Sequence, residues 1–129
     1  MKGISFLSGD NIESPFDSDD VSNHLRIVIS EPDPENNVLV VGVSSQKEGI
    51  FHDPACELNK GDHPFIKKPS YISYRHAQVL NYKKIIQAGL DKVIIRKENV
   101  SESVLNSIQD GARETSFLKR DFKKYFEYF

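Results

Sequence analysis

Between Lys60 and Lys84 the chain carries six basic side chains, Lys60, Lys67, Lys68, Arg75, Lys83 and Lys84, against the single acid Asp62, a local balance of +5. That is the electrostatic footprint of a surface that meets phosphate, and it also fits a solvated basic face. Within this stretch Arg75 and His76 are adjacent. A guanidinium stays charged and addresses two phosphate oxygens at once, while an imidazole both accepts and releases protons near neutral pH. Neighbouring residues on a regular strand point to opposite faces, so the two share a site only where a bulge or strand end intervenes. On a regular strand Arg75 pairs with Ser73 instead, and the proton carrier comes from His24 or His63. Tyr71 and Tyr74 are spaced so that a base can stack on one of them, or so that both pack within a sheet. Ser44 and Ser45 end an apolar run and offer hydroxyl or N–H groups to a phosphate, or they simply open a turn.

A second constellation, His52, Asp53, Cys56 and His63, has the side-chain types that bind zinc, but its spacing matches no finger pattern. It reads as a polar loop in which Asp62 and His63 make local hydrogen bonds and so position Lys67 and Lys68. No metal or cofactor is assigned. Cys56 is the one cysteine, which rules out an internal disulfide and fits a reducing compartment.

The elements that must hold these residues are mostly strands. Leu25–Ser30 is rich in β-branched residues and closes in a proline-marked loop, and 38–45 reads as a central strand covered on both faces, with Gly42 allowing close approach. Residues 46–69 form a long excursion with a short strand near Cys56–Leu58. Strand composition returns at Tyr71–Tyr74, at Ala77–Tyr82 and at Lys92–Arg96. The period then changes: Asn99 and Glu102 form a capping box for one helix, and an amphipathic helix follows over 116–129, with Leu118, Phe122, Tyr125, Phe126 and Phe129 along one side. Strands first and helices last predict a small α+β domain with a curved antiparallel sheet or open barrel.

With 129 residues, 38% hydrophobic and 28% charged, the chain suits one compact domain. Residues 1–36 carry eight acids against Lys2 and Arg26, and Ser14–Asp20 reads as a mobile acidic loop within an N-terminal segment 1–23. No apolar stretch approaches the roughly 20 residues of a membrane span, and the N-terminus lacks the order of a signal peptide, so no membrane partner and a cytoplasmic setting are expected.

The order of pieces, His24–Ser30, a loop, Val38–Ser45, an excursion, Ser70–His76, then a helix near residue 100, resembles the PemK/MazF toxin family. The resemblance spans roughly residues 9–115, with Gly9 and Asp10–Phe16 in the place of the family's opening strand. It implies an SH3-like barrel, a twofold homodimer and a small antitoxin partner. It further implies a metal-independent endoribonuclease, in which the ribose 2′-hydroxyl of single-stranded RNA attacks its own phosphate. Arg75 then stabilises charge, His76 or His24 carries protons, and Ser44, Ser45, Lys67, Lys68, Tyr71, Ser73 and Tyr74 bind substrate. The family's arginine-proline is replaced here by His24-Leu25, and Tyr74-Arg75-His76 contains no carboxylate. Those departures give the alternative: an inactive module of this scaffold that binds nucleic acid or an acidic protein. Gyrase inhibition on a shared scaffold is disfavoured, since it implies a C-terminal tryptophan and the chain has none.

Overall fold

A computed structural model describes residues 1–9 and 23–129. In chain order these form β1 (Ser5–Ser8), β2 (His24–Val28), β3 (Asn37–Ser45), β4 (Glu57–Leu58), β5 (Ser70–Asn81), α1 (Tyr82–Leu90), β6 (Ile95–Lys97), α2 (Glu102–Glu114) and a 3₁₀ helix over Arg120–Tyr128. The strands make one antiparallel sheet in the order β4-β5-β3-β2-β1-β6, curled into a half-barrel. The α+β class and curved sheet predicted from the sequence are therefore present. The predicted acidic loop at Ser14–Asp20 and, past Gly9 itself, the opening strand expected from Gly9 through Phe16 lie outside the described residues. β1, paired with β2 and β6, forms earlier, inside the N-terminal segment 1–23 that the sequence predicts as mobile and acidic, and corrects that expectation. Among the described residues no helix is long and apolar enough to cross a membrane.

Side chains alternate between the two faces of a strand, and here they feed two cores. Leu25 and Ile27 of β2, Leu39, Val41 and Val43 of β3 and Ile72 of β5 pack with Val104, Leu105 and Ile108 of α2. The intervening residues, Phe6, Val28, Val38 and Val40, pack with Ile85 and Ala88 of α1 and with Ile94. α1 covers one end of this face, over the first half of β3. Beyond Val28 and Val40 the same face carries Arg26, His24, Gly42 and Ser44, and no apolar cluster of the described residues covers them.

Several local predictions need correction. α1 was not expected: Asn81 caps it by accepting from the Lys83 N–H at 3.0 Å, and the strand composition of 77–82 ends at that cap. The N-cap of α2 is Ser101, which accepts from the Val104 N–H at 3.1 Å. Asn99 instead accepts from the Arg96 guanidinium. The C-terminal segment is a 3₁₀ helix, shorter than the amphipathic helix expected over 116–129, and at three residues per turn Phe122, Tyr125 and Tyr128 fall in line. Helices do not all come last, because α1 stands between β5 and β6.

Gly111 lets α2 sit close to the loop ahead of β4. A Cβ there would collide with the Tyr74 hydroxyl and lie 2.9 Å from the Ala55 carbonyl oxygen and 3.0 Å from Cys56 Cβ. Gly111→Ala should thus destabilise the fold by about 1–3 kcal/mol through overpacking, outweighing a helix-propensity gain of up to about 1 kcal/mol. A urea midpoint shifted downward at constant slope is the expected result, and an upward shift contradicts the packing.

The β2–β3 turn is tied to the C-terminus. Asp33 Oδ1 accepts from the N–H groups of Glu35 and Asn37, each at 2.9 Å, and Asp33 Oδ2 accepts from the Tyr125 hydroxyl at 2.8 Å. Asn36 takes the left-handed conformation that the turn needs, with φ 67°, which asparagine tolerates. The Asn37 N–H is the largest influence and, with the Tyr125 hydroxyl, the Glu35 N–H and the Lys124 charge, holds the Asp33 carboxyl below its usual range, against desolvation, the second-largest influence. A lowered folded-state pKa contributes stability that is complete above the unfolded value, about 3.9, and is lost as pH falls through the folded value. Asp33→Asn should therefore flatten the acid limb of the stability profile below about pH 4.

Candidate functional site

The feature that makes a site is an irregularity in β5. The β3–β5 ladder pairs Val40 with Gln78 and then Gly42 with Ser73, so Tyr74, Arg75, His76 and Ala77 all stand opposite Val41. The extra residues break the alternation of a regular strand. Tyr74 and Ala77 turn inward to the α2 core, while the adjacent Arg75 and His76 are both exposed. The condition for these two to share a site is met by this wide bulge.

Arg75 and His76 line a groove of about 590 Å³ together with His24, Arg26, Gly42, Ser44, Ser73, Gln78 and Lys119. Each strand contributes through its period of two: His24 and Arg26 from β2, Gly42 and Ser44 from β3, Ser73 from β5. Gly42 and Ser73 are ladder partners, as are Arg26 and Gly42, so these residues form one row across the sheet. Arg26 is 7% exposed, and a Cβ on Gly42 would lie 2.8 Å from its Nη1. The close approach expected at Gly42 is thus made by an arginine side chain lying across the strand. Arg26 Nε also donates to Ser8 Oγ at 3.4 Å.

His76 Nδ1 shares a hydrogen bond of 2.6 Å with Ser73 Oγ, which fixes the ring and leaves Nε2 as its second functional nitrogen. The Arg75 guanidinium carbon sits 5.1 Å from the centre of the Phe117 ring, a cation–π contact that orients the group without neutralising it. None of the ion pairs among the described residues involves Arg75. The described lining of the groove holds two arginines, a lysine and two histidines and no carboxylate.

The other residues singled out in the sequence are distributed around this groove. Tyr71 stands opposite Ser44, stacks on His52 at 4.9 Å, and borders a neighbouring cavity that also contains His24, Ser44 and Ser45. Lys67 and Lys68 are exposed beside an adjoining cleft that meets the groove at Ser44 and the neighbouring cavity at Ser44 and Ser45. Tyr74 does not belong to an open surface. It is 0% exposed, donates to the Ile108 carbonyl at 2.6 Å, and burial pushes its phenol far above the usual range. Its assignment to substrate binding is corrected to the core.

His63 is also structural. Its Nδ1 accepts from the Phe65 N–H at 3.0 Å, so Nε2 carries the proton and donates to the Glu98 carbonyl at 2.6 Å. The remaining metal-type side chains are separately engaged: His52 with Glu57 at 2.7 Å, Asp53 with the Ala55 N–H and the Thr115 hydroxyl, and Cys56 within the core, where burial raises its thiol to about 11. Among the described residues no three such groups converge on one point. These contacts pin the 46–69 excursion to Glu98, in the segment before α2, and to Thr115, the C-cap of α2.

Sequence reasoning missed Arg26, Gln78 and Lys119 as groove residues. The two-residue spacing from His24 points to Arg26. Lys119 arrives from the connection after α2 with no local signal. No protein-family model matches the chain and no curated protein matches it.

Proposed function

We propose that the groove binds the sugar-phosphate backbone of single-stranded RNA and cleaves it without a metal. The observation that carries this reading is the bulge that turns Arg75 and His76 together into a groove that His24 also lines. Transesterification at phosphorus needs a base, an acid and a stabiliser of charge on the phosphorane oxygens. His24 and His76 are the two proton carriers: one takes the 2′-hydroxyl proton as that oxygen bonds to phosphorus, and the other protonates the departing 5′-oxygen. The products are a 2′,3′-cyclic phosphate and a 5′-hydroxyl. Arg75 supports the phosphorane oxygens, Ser73 is a positioning residue for the His76 ring, and Ser44 and Lys119 extend the polar contact along the chain.

This function accords with the PemK/MazF toxins that the order of elements resembles, and a cytoplasmic setting, a homodimer and an antitoxin partner belong to the same proposal. The departures of His24-Leu25 and Tyr74-Arg75-His76 from the family's pattern leave a second reading, a module that binds the backbone and leaves it intact.

One experiment separates them. A single-stranded RNA and its all-deoxy counterpart are incubated with the protein in excess chelator. The RNA should be cut and the deoxy strand bound but intact, with binding that weakens steeply as salt rises. Cleavage of the deoxy strand or a requirement for magnesium overturns the mechanism, and salt-sensitive binding without cleavage selects the module.

A further inference from the structure

Five large apolar side chains are exposed among the described residues, and three of them, Ile50 (63%), Phe51 (74%) and Phe65 (45%), surround one cavity of about 460 Å³. This cavity shares His24 and Ser44 with the cationic groove, so the two are continuous across the sheet. The loop that presents the apolar residues is held firmly. Ile66 is buried, His63 ties the loop to Glu98, and Gln46 Nε2 donates to the Ser70 carbonyl at 3.0 Å. Exposed apolar surface on an anchored loop, gathered at one cavity, marks a binding surface. Its chemistry is aromatic and flat: Tyr71 and His52 are stacked, and Phe51 is steadied by a tilted contact with Phe117 at 6.0 Å.

We infer that this cavity is a nucleobase subsite, in which an unpaired base stacks on Phe51 and Phe65 while its phosphate lies in the groove beside Arg75. The inference rests on the groove being a phosphate site and adds the part of the substrate that is read. Tyr71 and Ser73 lie two residues apart on β5, about 6.6 Å along a strand, which places the aromatic cavity one short step from the row of Arg26, Gly42 and Ser73. Lys47, Ser44 and Ser45 line the same cavity and offer polar contacts to a base edge. A base held this way is unstacked from its neighbours, so the subsite selects single strands over duplex.

The test uses uncleavable oligodeoxythymidylate, an abasic oligomer of the same length, and a duplex. Phe51→Ala and Phe65→Ala remove exposed side chains, so the fold is kept, and each should weaken oligodeoxythymidylate binding by about 5- to 150-fold while leaving the abasic oligomer unaffected. The chain has no tryptophan, so Phe51→Trp supplies a single indole reporter. Its fluorescence should be quenched by oligodeoxythymidylate and not by the abasic oligomer or the duplex. Equal affinity of wild-type protein for both single-stranded oligomers, or alanine variants that bind oligodeoxythymidylate normally, overturns the subsite alone. A cavity built for a protein partner's side chain gives that same result. Abasic-oligomer binding that Arg75→Ala leaves unchanged overturns the phosphate groove beneath it.

Discussion

Arg75→Ala should lower the rate of RNA cleavage by about 10²- to 10³-fold, the range lost when one preorganised donor to a developing oxyanion is removed. The residue is exposed and takes no part in the described ion pairs, so the melting temperature should stay close to wild type and separate chemistry from folding. Arg75→Lys should recover only part of the rate, since an ammonium is a point charge without the planar fork that addresses two oxygens. His76→Ala should cost about 10²- to 10⁴-fold, as expected for a general acid or base. Ser73→Ala acts through the ring that Ser73 holds, so it should lower kcat and shift the pH–rate profile while leaving KM nearly unchanged. Loss of substrate affinity from Ser73→Ala with an unaltered pH profile would show that Ser73 contacts substrate instead.

Tyr74→Ala carries the second large effect, and it concerns stability. The ring is fully buried against α2, and its hydroxyl answers the Ile108 carbonyl. Truncating a buried aromatic residue costs about 3–5 kcal/mol, a substantial share of the 5–15 kcal/mol that holds a typical domain together. Tyr74→Phe keeps the ring and should cost about 1 kcal/mol for the lost hydrogen bond. Denaturant titration of both variants checks the order. Near-wild-type stability for Tyr74→Ala, with loss of oligonucleotide binding, would return Tyr74 to the substrate surface.

The contrast between Tyr74 and its neighbour shows what was legible in the chain. The runs at 25–30 and 38–45 are apolar and β-branched enough to mark two strands, and they pair as neighbours. β5 reads as two pieces because Arg75-His76 interrupts its apolar pattern, and the bulge that joins them depends on pairing with β3, which no local pattern encodes. The same bulge sends Tyr74 inward and Arg75 outward, so a tyrosine in a basic stretch looked like a ligand contact when it is core. α1 escaped because Ile85-Ile86 has strand composition, and its helical state is set by the Asn81 cap and by burial of Ile85 and Ala88. The C-terminal stripe is visible as amphipathic, and the 3₁₀ form it takes puts Phe122, Tyr125 and Tyr128 in line, with Tyr125 anchored to Asp33. Lys119 reaches the groove only because α2 turns the chain back toward β5, a tertiary event.

The most direct measurement is the chemistry of the RNA ends left after incubation with the purified protein in chelator. A groove that pairs two imidazoles with the Arg75 guanidinium should leave 2′,3′-cyclic phosphate and 5′-hydroxyl termini, and these should all but disappear with Arg75→Ala and His76→Ala. Termini bearing 3′-hydroxyl and 5′-phosphate, or RNA left whole by wild-type protein, would contradict it.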